Sequence, residues 1–267
     1  MTSADNGLFH KADSLFAEGH FFRSTIEYER ILFEHEAPGI QREALIKKAV
    51  ALKYQERYTE AIRELNRIAI RSPKDTLLAA RTYHLAVCYY LNGNYQEALA
   101  TIDMYEYALD GHPLLYDILI IKTLSNNHLF KFEDAETSLR QITELQVDES
   151  NGINSILKEI YDRGKTPRYR NPERAHDFSI VIPGSGHLYA GAFGEGAVNF
   201  LLNASALSFG VWQVYTGYYF TGYVVGVTFL ERFHSGGKKR ASVLAELKNI
   251  ENTNKLNMRI LDAIKEN

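Results

Sequence analysis

A single cysteine, Cys88, excludes an internal disulfide framework and any cysteine-rich zinc site. Its neighbours Ala86, Val87 and Tyr89 form an apolar helical pattern, so it reads as a buried thiol. Formal charges nearly cancel, leaving −3, so the basic field that nucleic acid requires is missing and no nucleic-acid partner is expected. The nine histidines are scattered, with no HExxH and no His/Cys cluster at ligand spacing. No serine elbow or paired-carboxylate setting occurs either. The expectation is therefore no enzyme, no metal and no cofactor. The start, MTSADNGLFHKAD, lacks the basic and apolar stretches of a secretory leader. The sharpest absence is local. Between Glu195 and Glu231 lie 35 residues without a formal charge, and from Phe178 to Leu230 Glu195 is the only one. Soluble domains carry charge on about a quarter of their residues.

The chain also has a phrase that recurs. ERYTEAI (Glu56 to Ile62) and GNYQEAL (Gly93 to Leu99) place Tyr58 and Tyr95 37 residues apart, and the same step reaches Phe21 and Phe132. Three residues after each aromatic comes Ser24, Ala61, Ala98 or Ala135. Next come Tyr28, Leu65, Ile102 and Leu139, then Ile31, Ile68, Tyr105 and Ile142. Offsets of three, four and three share one helical face, with the small residue where a neighbouring helix approaches. Ala12, Ala49, Ala86 and Thr123 fill a second small slot upstream. The predicted unit is a pair of helices joined by a short turn, with Gly19 and Gly93 supplying positive φ. Ser72-Pro73 closes the second unit.

These residues resemble tetratricopeptide repeats (TPR), best in Leu85 to Tyr105, although each unit exceeds the usual 34 residues by three. Longer helices or longer links between units are expected to take up the difference. NGINSILKEIYDRG, Asn151 to Gly164, reads as a capping helix over the last unit. The resemblance implies a concave face of first-helix side chains. Phe9, Phe16, Lys53, Tyr54, Tyr83, Tyr90, Asn127 and His128 take those positions, with Phe16, Lys53, Tyr54, Tyr83, Tyr90 and Asn127 as the candidate protein-binding set. Ile46, Val50, Tyr83 and Val87 stand where carboxylate-clamping repeats carry Lys and Asn. An apolar peptide or partner helix fits better. The plain alternative is that the tyrosines only pack between repeats.

Composition changes after Gly164. KTPRYRNPER reads as a basic linker, and the charge-free stretch suits two membrane helices, about Gly194 to Val214 and Tyr218 to Phe233, turning at Tyr215-Thr-Gly217. Glu195, Asn199 and Asn203 recur every four residues, so this stripe should face the hairpin partner or another subunit rather than acyl chains. Gly222 and Gly226 have the GxxxG spacing of closely approaching backbones. Trp212, Tyr215, Tyr218 and Tyr219 cluster at the turn, suiting a membrane interface.

IPGSGHLYAGAFGEG, ahead of the hairpin, lacks the Lys-Ser/Thr of a phosphate loop. It resembles a bacterial membrane module written P-G-x-G-x-x-Y-x-G, through Pro183, Gly184, Gly186, Tyr189, Gly191, Gly196 and Phe200-Leu-Leu-Asn203. Pro183 with Gly184 and Gly186 should break Phe178 to Ala190 into a short bent interfacial segment. The tail, Lys238 to Asn267, has a helical apolar period from Val243 to Ile264, and would lie on the membrane surface or dock on the repeats.

The expected fold is all-α: a TPR-like solenoid with its cap over 6–164, a linker over 165–176, a membrane hairpin module over 177–236 and a charged amphipathic helix over 237–267. The expected function is a membrane-anchored adaptor or scaffold that binds a protein partner in a bacterial envelope complex, with membrane lipid as its second partner. The alternative is an accessory to membrane-protein insertion or transport that uses the polar stripe. Arg163, Lys165, Arg168, Arg170 and Arg174 precede the hairpin and Lys238, Lys239 and Arg240 follow it. Two inner-membrane spans with the repeats on the cytoplasmic side satisfy both flanks. A leader removed upstream would instead place the repeats in the periplasm.

Overall fold

The structure, a computed structural model, describes residues 5–145, 151–161 and 164–265. The flanking Arg163 lies outside the described residues. The described residues form helices and connecting turns, without strands, and fall into two compact units: the chain up to Gly164 together with its end from Ala263, and Lys165–Asp262.

In the first unit, after one turn, α1 (Asp5–Leu8), the helices come in sequential packed pairs. These are α2 (His10–Ala17) with α3 (Phe21–Glu34), α4 (Pro38–Tyr54) with α5 (Tyr58–Asn66), α6 (Leu78–Leu91) with α7 (Tyr95–Tyr105), and α8 (Leu115–His128) with α9 (Phe132–Leu145). Each registered aromatic, Phe21, Tyr58, Tyr95 and Phe132, is the first residue of its second helix. Ser24, Ala61, Ala98 and Ala135 are all completely buried, as the small-slot reading expects. Ala12, Ala49, Ala86 and Thr123 are 0 to 1% exposed on the facing helices.

One turn geometry makes all four corners. The amide of Gly19 donates to the Phe16 carbonyl at 3.0 Å and that of His20 to Leu15 at 2.8 Å. The equivalent bonds recur from Glu56 and Arg57, from Gly93 and Asn94, and from Phe130 and Lys131. This is the Schellman pattern, which satisfies the last carbonyls of the first helix and needs a left-handed residue. Gly19 and Gly93 have φ of +79°, and Glu56 and Phe130 take φ of +59° and +58° without being glycine. The following carbonyl then accepts the amide of the buried small residue, as in Ala98 to Asn94 at 3.1 Å. Turn and packing slot are therefore one rigid phrase.

The surplus over 34 residues sits partly in the links: Arg67–Leu77 is irregular, and a 3₁₀ turn (Glu106–Leu109) follows α7. Between the first two pairs it goes instead into the 17-residue α4. α5 stops at Asn66, earlier than the register predicts, so Ile68 reaches the core from the loop. Cys88 is buried in the cluster of Leu45, Leu52, Leu65 and Leu85, and that burial pushes its thiol up to about 11. A thiol so protonated is no nucleophile. The cap differs from one regular helix: α10 (Asn151–Ile156) continues as a π-turn, Leu157–Tyr161, that packs on α9.

In the second unit α11 (Pro172–Val181) begins inside the segment read as a linker. Pro172 occupies its first turn, and Asn171 Oδ1 caps it by accepting the Glu173 and Arg174 amides at 2.8 and 3.1 Å. Pro183-Gly184 separates α11 from α12 (Ser185–Ala190), and α13 (Phe193–Tyr215) follows. α13 is the one helix among the described residues long and apolar enough to cross a membrane. The return arm starts as α14 (Tyr219–Thr221), widens into a π-turn at Gly222–Gly226 and continues as α15 (Val227–Lys265). The second helix expected to end at Phe233, and the separate tail helix expected after it, are thus one helix. Gly236-Gly237 lies within it, and Asn199 occupies the space that a side chain at Gly237 would fill.

Candidate functional site

The candidate protein-binding residues divide by environment. Phe16, Phe21 and Tyr54 form one aromatic stack, with Phe21 and Tyr54 face to face at 5.0 Å and Phe16 edge-on to both. Tyr54 is still 57% exposed, and the Lys53 ammonium lies 5.4 Å from its ring centroid. Burial lowers the Lys53 pKa. Tyr90, Tyr95 and His128 make the matching stack two units on, with the Tyr95 and His128 rings parallel at 4.1 Å. The register residue of one unit thus stacks on the end of the next unit's first helix, so these rings pack between repeats. Tyr83 is half-buried against His84. Asn127 is fully buried, and its Oδ1 accepts from Tyr161 at 2.8 Å. The structure keeps Asn127 out of any surface and ties it to the Leu157–Tyr161 turn.

In the glycine-rich half, close packing or positive φ accounts for the glycines of the motif. A Cβ on Gly184 would lie 2.3 Å from the Gly196 carbonyl oxygen, and one on Gly186 would lie 1.8 Å from that of Ala175. Gly196 packs against the Gly184 carbonyl and the His187 side chain. Gly184 and Gly191 have φ of +89° and +85°. Tyr189 accepts the Asn171 amide at 3.0 Å through its hydroxyl, packs edge-on against Phe178, and its carbonyl receives the Arg170 guanidinium. Ala175 and Ala190 complete the elbow by packing on Ala241 and Ala245 of α15. Gly184, Gly186, Tyr189, Gly191 and Gly196 therefore build a corner that begins at Pro183.

The polar stripe of α13 faces its neighbour on α15. Glu195 receives two bonds from Arg240 at 2.8 and 3.0 Å, and Asn199 Nδ2 donates to the Phe233 carbonyl at 3.3 Å. Asn203 is 3% exposed; its Nδ2 donates to the Asn199 carbonyl and its Oδ1 is unpartnered. At the far end the helices touch backbone to backbone: a Cβ on Gly226 would lie 2.7 Å from the Gly210 Cα, and one on Gly222 2.9 Å from the Gly210 oxygen.

Sequence reasoning missed Gly210 and Arg240. A lone acid in an apolar run needs a counter-ion, and the Lys238-Lys239-Arg240 cluster was the place to look. Among the described residues no group of His, Cys, Asp and Glu could hold a metal ion. No family model matches the chain, and no curated protein or solved structure does either.

Proposed function

We propose that the chain is a membrane-anchored adaptor, in which a TPR-like repeat unit binds a protein partner of a bacterial envelope complex and the α13–α15 hairpin holds it at the bilayer. One observation carries the membrane half of this reading: only 11% of the apolar window of α13 is buried. Leu201, Val211 and Trp212 are 61 to 63% exposed. A soluble core helix of that composition would bury them, because apolar area left in water forgoes about 25 cal/mol per Å². At ~1.5 Å per residue, its 23 residues reach about 34 Å, enough for a hydrocarbon layer of ~30 Å. Exposed Tyr215, Tyr218 and Tyr219 at the turn suit the opposite interface. Phe178, Ile180, Val181 and Ile182, also exposed, suit the near interface, where the elbow of α11 and α12 would lie.

The partner-binding half rests on the ledge at Tyr54. Its exposed ring is backed by Phe16 and Phe21 and flanked by Lys53, and an apolar helix or extended segment fits such a ledge. Tyr83 and Tyr90 extend the candidate surface; Asn127 leaves it. The adaptor reading is favoured over an insertion or transport accessory because Glu195 and Asn199 are engaged by the chain's own α15.

Alkaline carbonate extraction of membranes carrying the full chain tests the anchor: it should stay in the pellet, and release into the supernatant would refute the membrane reading. Cross-linking and co-purification in mild detergent test the ledge. Tyr54, Tyr83 and Tyr90 changed together to Ala should abolish partner capture at unchanged helicity. Capture at undiminished affinity would refute the ledge.

A further inference from the structure

A trough of about 610 Å³ lies between the first half of α13 and α15, lined by both charged and apolar groups. Arg232, Gly236 and Arg240 line it and recur every four residues, so they share one face of α15. Gly236 leaves a notch between the two guanidiniums, and nothing lies within 4 Å of where its Cβ would be. Arg240 is oriented by Glu195. Arg232 has no hydrogen-bond or ion-pair partner among the described residues. Two positive charges and one negative leave the trough one net positive charge. Its apolar lining is Val198 and Leu202 of α13, 57% and 41% exposed, with Phe233 of α15.

A pair of arginines over a notch matches phosphate oxygens, which guanidinium recognises through its planar fork. A single net positive charge matches a phosphodiester, which carries one negative charge, better than a phosphomonoester. The apolar lining calls for a hydrocarbon chain on the same ligand. We propose that the trough seats an anionic glycerophospholipid, its phosphodiester held at the Gly236 notch by Arg232 and Arg240 and one acyl chain lying along Val198 and Leu202. The proposal rests on the membrane reading above, since it is bilayer insertion that brings lipid to this face.

The test is calorimetric titration of the full-length chain in uncharged detergent with short-chain phosphatidylglycerol, phosphatidylcholine of the same chains, and inorganic phosphate. Phosphatidylglycerol should bind saturably and at least about tenfold tighter than either, the worth of one charge-assisted hydrogen bond. Gly236→Leu fills the notch without a backbone clash and improves helix propensity, so it should fold and still lose about tenfold or more in affinity. Arg232→Gln should lose a similar factor, and it keeps the test open if the leucine variant misfolds. Equal binding of the two lipids, equal binding of free phosphate, or undiminished affinity in both variants would each overturn the lipid site. Failure of the membrane reading shows up separately, as a chain that does not float with pure phosphatidylcholine vesicles while its titration in detergent is unchanged.

Discussion

Glu56 and Gly93 occupy equivalent corners of successive helix pairs, so one physical term should change their mutants in opposite directions. Both residues are left-handed, with φ of +59° and +79°. A side chain in that region costs about 1–2 kcal/mol through crowding between Cβ and the following carbonyl. Glycine avoids this but loses about 0.4–1 kcal/mol of chain entropy on folding. No atom lies within 4 Å of a Cβ built on Gly93, so Gly93→Ala adds a torsional penalty and no clash. The net loss is about 0.5–1 kcal/mol. Glu56 is exposed and its carboxylate has no hydrogen-bond or ion-pair partner among the described residues, so Glu56→Gly keeps the backbone bonds of the turn and releases the same term. For a unit of this size 1 kcal/mol moves the melting temperature about 2–4 °C. Thermal unfolding of the full chain in mild detergent, followed by far-UV circular dichroism, should show Gly93→Ala melting a few degrees lower and Glu56→Gly slightly higher. Shifts of the same sign, or no shift in Gly93→Ala, would refute the claim that one turn geometry sets both corners. Phe130→Gly tests the limit of the argument: Phe130 also packs against Phe132 at 5.6 Å, so the torsional gain is offset by a lost ring contact worth about 0.5–1.5 kcal/mol.

Gly226→Leu puts its side chain against the Gly210 backbone and should part the hairpin, seen as faster proteolysis at Tyr218 to Tyr223, whereas Gly194→Ala, which meets nothing within 4 Å, should not. Burial pushes His84 and His128 down to about 4, and the Lys53 charge adds to the effect at His84. The unfolded chain therefore binds more protons between pH 6.5 and 4; stability is full above about 6.5 and falls as pH drops through that window. Melting temperatures of His128→Gln should lose less than the parent between pH 7 and 5, and an identical pH dependence would exclude His128 as a contributor. Because the sole native thiol, Cys88, is buried, cysteines introduced at Thr2, Gly217 and Asn267 report topology in intact cells. Labelling at 217 alone fits two spans with cytoplasmic repeats, and labelling at 2 and 267 alone inverts it. Ends on opposite sides would sink the two-span arrangement.

The repeat register was legible because a helix contact that recurs must keep the same small residue, and four copies at one period leave few other readings. The two left-handed corners without glycine were not legible, since Glu56 and Phe130 carry no local sign of positive φ. The conformation there is imposed by the helices on either side. Asn127 was misplaced because a position on the first-helix face was read as exposed, while the ring that covers it, Tyr161, arrives from a segment 34 residues on. The continuity of the helix past Phe233 was hidden for the opposite reason. Two glycines weaken a helix by about 1 kcal/mol each, but here the missing side chain at Gly237 is what admits Asn199, a long-range contact that no local pattern encodes.

The same turn phrase continues into the second unit. The Gly191 amide donates to Leu188 and that of Ala192 to His187; the Gly217 amide donates to Val214 and that of Tyr218 to Gln213. Phe193 and Tyr219 then open the next helix, and the residue three on is Gly196 or Gly222, where the repeats use Ser or Ala. The substitution follows from the distances. Ala98 carries its methyl fully buried, but a Cβ at 196 or 222 would fall 2.9 Å from a backbone oxygen. In water a helix pair gains from burying Leu and Ile against each other, so a methyl at the contact is welcome. In lipid that gain vanishes, and association relies on dispersion between backbones brought close together. On the membrane reading proposed above, glycine in place of alanine at the same register position is what this corner would require on moving from a solvent that expels apolar groups to one that does not.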